Sequence, residues 1–142
     1  MTAGPSHPPM PADEPERFGC ERCWPPSPEA AWAATRALLT DAELIDESHV
    51  HVTVRACGAC AQRFISVFTE TIDWADSEDP QRWTVMPLTP GEAAELTGAG
   101  SSVTEARLDT ISRDRRSVCH DYPKDEPRRT FWGRGLVVGP HD

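Results

Sequence analysis

Apolar and polar positions along this chain change period several times, and each change marks an element. From Ser27 to Leu39 the pattern is helical. Ser27 stands where an N-cap is needed, Pro28 at the first helical position and Glu29 in the first turn; an alanine-rich stretch carrying Trp32, Leu38 and Leu39 follows. This predicts a helix over 29–39. Thr40-Asp41-Ala42-Glu43 has the form of a capping box and predicts a short second helical turn. At His49 the period becomes two. Val50, Val52 and Val54 share one face while His49, His51, Thr53 and Arg55 share the other, the signature of a half-buried strand.

Cys57-Gly58-Ala59-Cys60 interrupts that alternation, and a second alternating run follows over 63–74. Phe64, Ser66, Phe68, Ile72 and Trp74 fall on one face, with Ile65 and Val67 opposite. β-Branched and aromatic residues dominate, so the two runs are expected to form a hairpin with the cysteine turn at its tip. Trp83–Met86 predicts a short third strand stopped by Pro87. Thr89-Pro90-Gly91-Glu92 is a second capping box, opening a helix of about two turns that ends near Gly98. Ser102-Val103-Thr104-Glu105 opens another predicted helix reaching Arg113, and residues 114–142 read as a polar, basic and aromatic extension with a short apolar run at Leu136–Val138.

Composition narrows the class. The chain has 142 residues, 38% apolar, with 14 prolines, which suits one domain with a modest core and long irregular stretches. A metal crosslink would strengthen such a core. Residues 1–17 are rich in proline and acid and read as a flexible tail; 18–98 form the expected domain, and 99–142 an extension packing on it. There is no apolar run of membrane-spanning length and no secretory pattern at the N-terminus, so the expected location is the cytoplasm, where paired cysteines bind metal or do redox chemistry more often than they form permanent disulfides. The net charge of −9 is uneven: residues 1–104 carry 16 acidic and 6 basic side chains, and residues 105–142 carry 7 and 8. An acidic body argues against bulk nucleic-acid binding and suits a protein partner, although acidity also serves solubility alone.

The sharpest chemistry lies in Cys20-Glu21-Arg22-Cys23 and Cys57-Gly58-Ala59-Cys60. A CxxC turn brings two thiolates within reach of one ion and points backbone N–H groups at the sulfurs, and two such turns complete the tetrahedral S4 set that suits one structural Zn²⁺. Gly58 eases the second turn. The motifs FGCERCW and RACGACAQRF, with the strands flanking the second pair, resemble the zinc-ribbon group. That resemblance implies a small β-sheet clamped by two knuckles and a structural metal, in proteins that serve in protein or nucleic-acid contacts. The interval from Trp24 to Ala56 is 33 residues, longer than the roughly 15–20 of the usual spacing, and the predicted helix fills the excess. The expected fold is therefore α+β: a small antiparallel zinc-ribbon-like sheet with a helical insertion between the knuckles and helices after the sheet. A thiol redox switch is the competing reading of the same cysteines; it requires a lowered thiol pKa, for which Arg55 lies close to Cys57, but a strand rather than a helix is expected to follow Cys60.

Other candidates are weaker. His49 and His51 share a strand face and would be ligands only if a cysteine pair is unused; polar-face residues is the plainer reading. Cys119-His120-Asp121 places a thiol beside a base, yet neighbours along a chain rarely converge on one atom, and Cys119 reads as an inert odd thiol. Glu70, Asp73, Asp76, Glu78 and Asp79 form an acidic run beside Trp74, with no calcium-loop spacing; this is a candidate docking loop, with Trp74 and Trp83 expected to pack against the sheet. Arg128, Arg129, Phe131, Trp132 and Arg134 interleave cation and ring, which suits phosphate contacts and base stacking; neighbouring acidic residues dilute the charge, so association with the acidic body or a partner protein is the favoured reading. The leading expectation is a non-enzymatic, zinc-binding adaptor or regulator, with a nucleic-acid-binding ribbon as the alternative and a redox switch or enzyme behind it.

Overall fold

The structure is a computed structural model and describes residues 17–76, 79–111 and 113–136. Most of the tail expected at 1–17, Ser77 and Glu78 of the acidic run, and Val137 and Val138 lie outside the described residues. Six strands, β1 (Leu39–Glu47), β2 (Val50–Ala56), β3 (Arg63–Glu70), β4 (Gln81–Pro87), β5 (Arg116–Tyr122) and β6 (Arg129–Arg134), form one antiparallel sheet in sequence order. Three short helices accompany it: α1 (Pro28–Ala34), extended by a 3-10 turn to Ala37, α2 (Pro90–Ala99) and α3 (Glu105–Leu108).

Several local signals hold. Ser27 Oγ accepts from the Ala30 N–H at 3.1 Å, with Pro28 at the first helical position of α1. In α2 the Thr89 hydroxyl accepts from Glu92 N–H at 3.2 Å while the Glu92 carboxylate accepts from Thr89 N–H at 2.8 Å, a complete capping box. β2 and β3 form the predicted hairpin, in the register Val54↔Ile65, Val52↔Val67 and Val50↔Thr69.

The fold class differs from the expectation: the molecule is a mostly β, six-stranded meander rather than a small ribbon with helices after the sheet. Three misreadings account for this. Thr40-Asp41-Ala42-Glu43 lies in β1, not in a helical turn, and register shifts between Thr40 and Ala42 and between Glu43 and Ile45 erase the period of two that would have marked it. The interval between the CxxC pairs therefore holds two strands as well as α1. The helix expected from Ser102 to Arg113 shrinks to α3. The extension after it contains β5 and β6. In β5, Ser117, Val118 and Cys119 are all buried, one side chain after another on both faces, so no alternation remains to be read. The second alternating run also stops earlier than expected, at Glu70, so Ile72 and Trp74 do not continue the β3 face.

The sheet carries a core on each face. On one side Val50, Val52, Val54, Ile65, Val67 and Met86 meet Leu88, Leu96, Leu108 and Ile111 from α2, α3 and their connections. On the other, Phe64, Val85 and Val118 meet Ala31 and Leu38, together with Cys23 and Cys57. α1 lies over β5 and β6 on that second face. No helix among the described residues is long and apolar enough to cross a membrane.

Candidate metal centre

The first CxxC turn precedes α1 and the second joins β2 to β3, so the two are distant in sequence and are brought together by α1 docking on the sheet. Cys20 Sγ lies 3.8 Å from Cys23 Sγ and 3.9 Å from Cys57 Sγ, and Cys23 Sγ lies 3.7 Å from Cys60 Sγ. All four sulfurs fall within 4.8 Å of one another. A tetrahedral S4 site with Zn–S near 2.3 Å has S···S edges of about 3.8 Å. The spacing suits sulfurs around a shared ion and is far too long for an S–S bond of about 2.05 Å; all five cysteines are free.

The turns supply backbone donors to the sulfurs. Cys20 N–H points at Cys23 Sγ at 3.3 Å, and Ala59 N–H at Cys57 Sγ at 3.4 Å. Two residues flanking the CxxC turns hold them against each other. Gln62, just past the second pair, accepts from Gly19 N–H at 2.9 Å and donates to the carbonyls of Arg63 and Leu88 at 2.8 and 2.7 Å. Gly19 has φ of +69°, and a Cβ there would stand 2.7 Å from Cys23 Sγ, so the close approach of the first knuckle needs glycine. Sequence reasoning passed over both; a glycine directly before CxxC and a glutamine shortly after its partner pair were the available signals.

Cys23 and Cys57 are buried, Cys20 is partly covered and Cys60 is exposed. The backbone N–H groups of Cys23 and Arg22 draw the Cys20 thiol down to about 7, whereas burial pushes the Cys23 and Cys60 thiols up. Sulfurs with opposed tendencies, each within 4 Å of another, can all ionise only beside a strong positive charge. That is what a divalent ion supplies.

The other sequence candidates go elsewhere. His49 faces Glu70 at 3.5 Å and His51 faces Asp46 at 3.2 Å; neither belongs to the thiol cluster. Strand alternation in β5 separates Cys119 and Asp121 from His120. His120 stacks on Trp32, with centroids 4.5 Å apart and planes within 6°, and its Nδ1 meets Thr130 Oγ1 at 2.8 Å. Burial, then the nearby Arg128 charge, holds the His120 pKa below its ordinary value. Cys119 is buried and its pKa raised by desolvation. Asp121 is buried and takes Arg82 through two hydrogen bonds, at 2.5 and 2.7 Å, and Arg129 at 3.3 Å.

In the acidic loop Lys124 pairs with Asp73 at 3.0 Å and Asp76 at 2.8 Å, and Asp79 accepts from Asp73 N–H at 2.8 Å. Trp83 packs among rings, but Trp74, expected on the sheet, is 89% exposed. The Arg-aromatic segment is used internally. Arg128 covers Tyr122, Arg129 covers Phe131, Trp132 packs edge-on to Trp24 beneath Arg116, and Arg134 donates to the Asp114 carbonyl. No family model matches this chain, and no curated protein and no solved structure is significantly similar to it.

Proposed function

We propose that this is a zinc protein in which one structural Zn²⁺, held by Cys20, Cys23, Cys57 and Cys60, fastens the α1 layer to the sheet of a non-enzymatic adaptor. The observation that carries the reading is the set of sulfur separations, 3.7–3.9 Å between knuckles and within one, matching the edges of a tetrahedral thiolate site. Four thiolates leave no coordination position for substrate, which favours a structural over a catalytic ion. An adaptor role is supported by Trp74. Tryptophan is enriched among the residues that anchor protein interfaces, and this almost wholly exposed ring sits on a turn whose Asp73 carboxylate accepts from the N–H groups of Ala75 and Asp76 at 3.1 and 3.3 Å. Lys124 ties the same turn to the body.

Elemental analysis of the purified chain should give one zinc per molecule, and Cys20→Ser/Cys57→Ser should lose it. Finding iron, or no metal in protein purified without chelator, would reject the zinc assignment. For the adaptor role, Trp74→Ala should abolish capture of a specific protein from extracts of the source cell while keeping its zinc. Equal capture by both forms would reject Trp74 as the anchor.

A further inference from the structure

The sheet face that carries α1 is only partly covered. α1 lies over β5 and β6; on the same face Phe64 and Val85 are buried beside Ala31 and Leu38, whereas His51 of β2 is exposed and Phe68 of β3 and Trp83 of β4 are only half-buried. There the register brings four rings into one row across four neighbouring strands: His51 opposite Phe68, Phe68 opposite Trp83, Trp83 opposite His120. Successive centroids are 5.9, 4.9 and 5.6 Å apart. Trp32 of α1 stands at the end of the row, stacked on His120 and 5.7 Å from Trp83.

Beside this row lies a groove of about 320 Å³ lined by Trp32, Arg36, His51, Arg55, Phe68 and Trp83, with small side chains between them and no carboxylate in its walls. In a chain of net charge −9 this is a local reversal. Asp46 reaches only the rim, through His51. Arg55 is half-buried, its Nη2 donates to the Leu38 carbonyl at 2.9 Å, and among the described residues neither it nor Arg36 pairs with a carboxylate. Burial lowers the Arg55 pKa, so this cation carries a desolvation cost that no carboxylate among the described residues offsets.

We propose that this open sheet face binds single-stranded nucleic acid, with bases stacking on Trp83 and Phe68 and phosphate oxygens taken by Arg36 and Arg55. The ligand class follows from the wall chemistry. Rings in a row on a sheet suit splayed bases, which stack without regard to sequence, and guanidiniums free of carboxylates suit the backbone between those bases. A simple anion would have no use for four rings, and a neutral apolar segment none for the two cations. The proposal uses none of the cysteines; it stands whichever ion they hold and whether or not Trp74 anchors a partner, although the segment they fasten carries Trp32 and Arg36. It also moves nucleic-acid contact away from residues 128–134, whose rings and cations are engaged within the protein.

The test is fluorescence anisotropy of a short labelled oligothymidylate and oligouridylate with the metal-replete full chain. Two phosphate contacts predict a log–log salt slope of about −1.4, or roughly sevenfold weaker binding on going from about 50 to about 200 mM salt. Arg36→Ala, on an exposed side chain that leaves the core untouched, should cut that slope by about half. Trp83→Leu should weaken binding roughly 5- to 150-fold, and Phe68→Leu provides a second ring variant if Trp83→Leu misfolds. Zinc content and melting of every variant separate loss of the groove from loss of the metal centre. Arg113→Ala, outside the groove, should bind as the parent does. No binding at about 100 μM protein in low salt, or binding indifferent to Arg36→Ala and to both ring variants, overturns the proposal. So does selective binding of an acidic proline-rich peptide, such as the chain's own residues 1–16, in place of the oligonucleotides.

Discussion

At the residue scale the candidate metal centre depends on two positions that contribute no ligand. Gly19 is held at φ +69° with Cys23 Sγ only 2.7 Å from where a Cβ would stand. Gly19→Ala is expected to cost about 2 kcal/mol from the left-handed backbone alone, and to weaken zinc retention in competition with a chromophoric chelator at least tenfold, since 1.4 kcal/mol is a factor of ten. Unchanged retention would mean that the knuckle has more freedom than its geometry indicates. Gln62 satisfies a donor on one knuckle arm and two carbonyls on the other side. Cys119 is the contrasting case. It is buried against Gly133, whose added Cβ would lie 2.7 Å from its sulfur, and desolvation keeps it a thiol. Cys119 should therefore resist iodoacetamide in the native protein and react only on unfolding, as mass spectrometry of the labelled peptides would reveal.

At the element scale the meander is tied together by polar side chains as well as by its ladder. Asp121 on β5 joins Arg82 on β4 to Arg129 on β6. Burial alone would raise the Asp121 carboxyl, but Arg82 and Arg129 outweigh it and hold it below the usual carboxylate range. Glu92 behaves alike: burial opposes ionisation, and Arg115 together with the Thr89 N–H prevails. A carboxyl with a depressed folded pKa contributes stability that is present above its unfolded value, near 4, and is lost as pH falls through the folded one. Asp121→Asn should thus destabilise by about 2 kcal/mol at neutral pH, below the usual cost of breaking a buried pair because both arginines are partly exposed. The gap from the parent in urea unfolding should narrow as pH falls below the ordinary carboxylate range and through the depressed folded value. A gap independent of pH would assign the loss to packing. Thr89→Ala removes one half of the α2 capping box and should cost about 1 kcal/mol.

At the scale of the whole molecule the two faces of the sheet respond differently to the metal. The core under α2 and α3 contains none of the cysteines, whereas the core under α1 includes Cys23 and Cys57 with Cys20 at its margin. Chelation should accordingly release the segment from Cys20 through α1 and spare the meander. Hydrogen exchange would then rise sharply over 20–34 and little in β3 and β4, while the far-ultraviolet signal changes modestly. Uniform loss of protection would mean instead that zinc binding and global folding are a single transition. Because α1 also forms one wall of the aromatic groove through Trp32, metal removal should open that groove as well.

Much was legible without coordinates wherever the signal was local. The cysteine spacing pointed to a four-thiol cluster, Ser27-Pro28 and Thr89-Pro90 placed two helix starts, and the valine alternation before Cys57 marked β2. Such features are set by the covalent geometry of a few consecutive residues, which a chain carries whatever its surroundings. β1, β5 and β6 belong to the other category. Bulged pairing blurs the first, two-sided burial hides the second, and in the third a run of arginines and rings carries no strand alternation until its pairing with β5 is seen. Only tertiary structure could decide those, because strand pairing and face coverage depend on partners far along the chain. The same holds for the ring row across β2–β5: each ring is an ordinary residue in its own strand, and only the register of three successive antiparallel pairings lines them up.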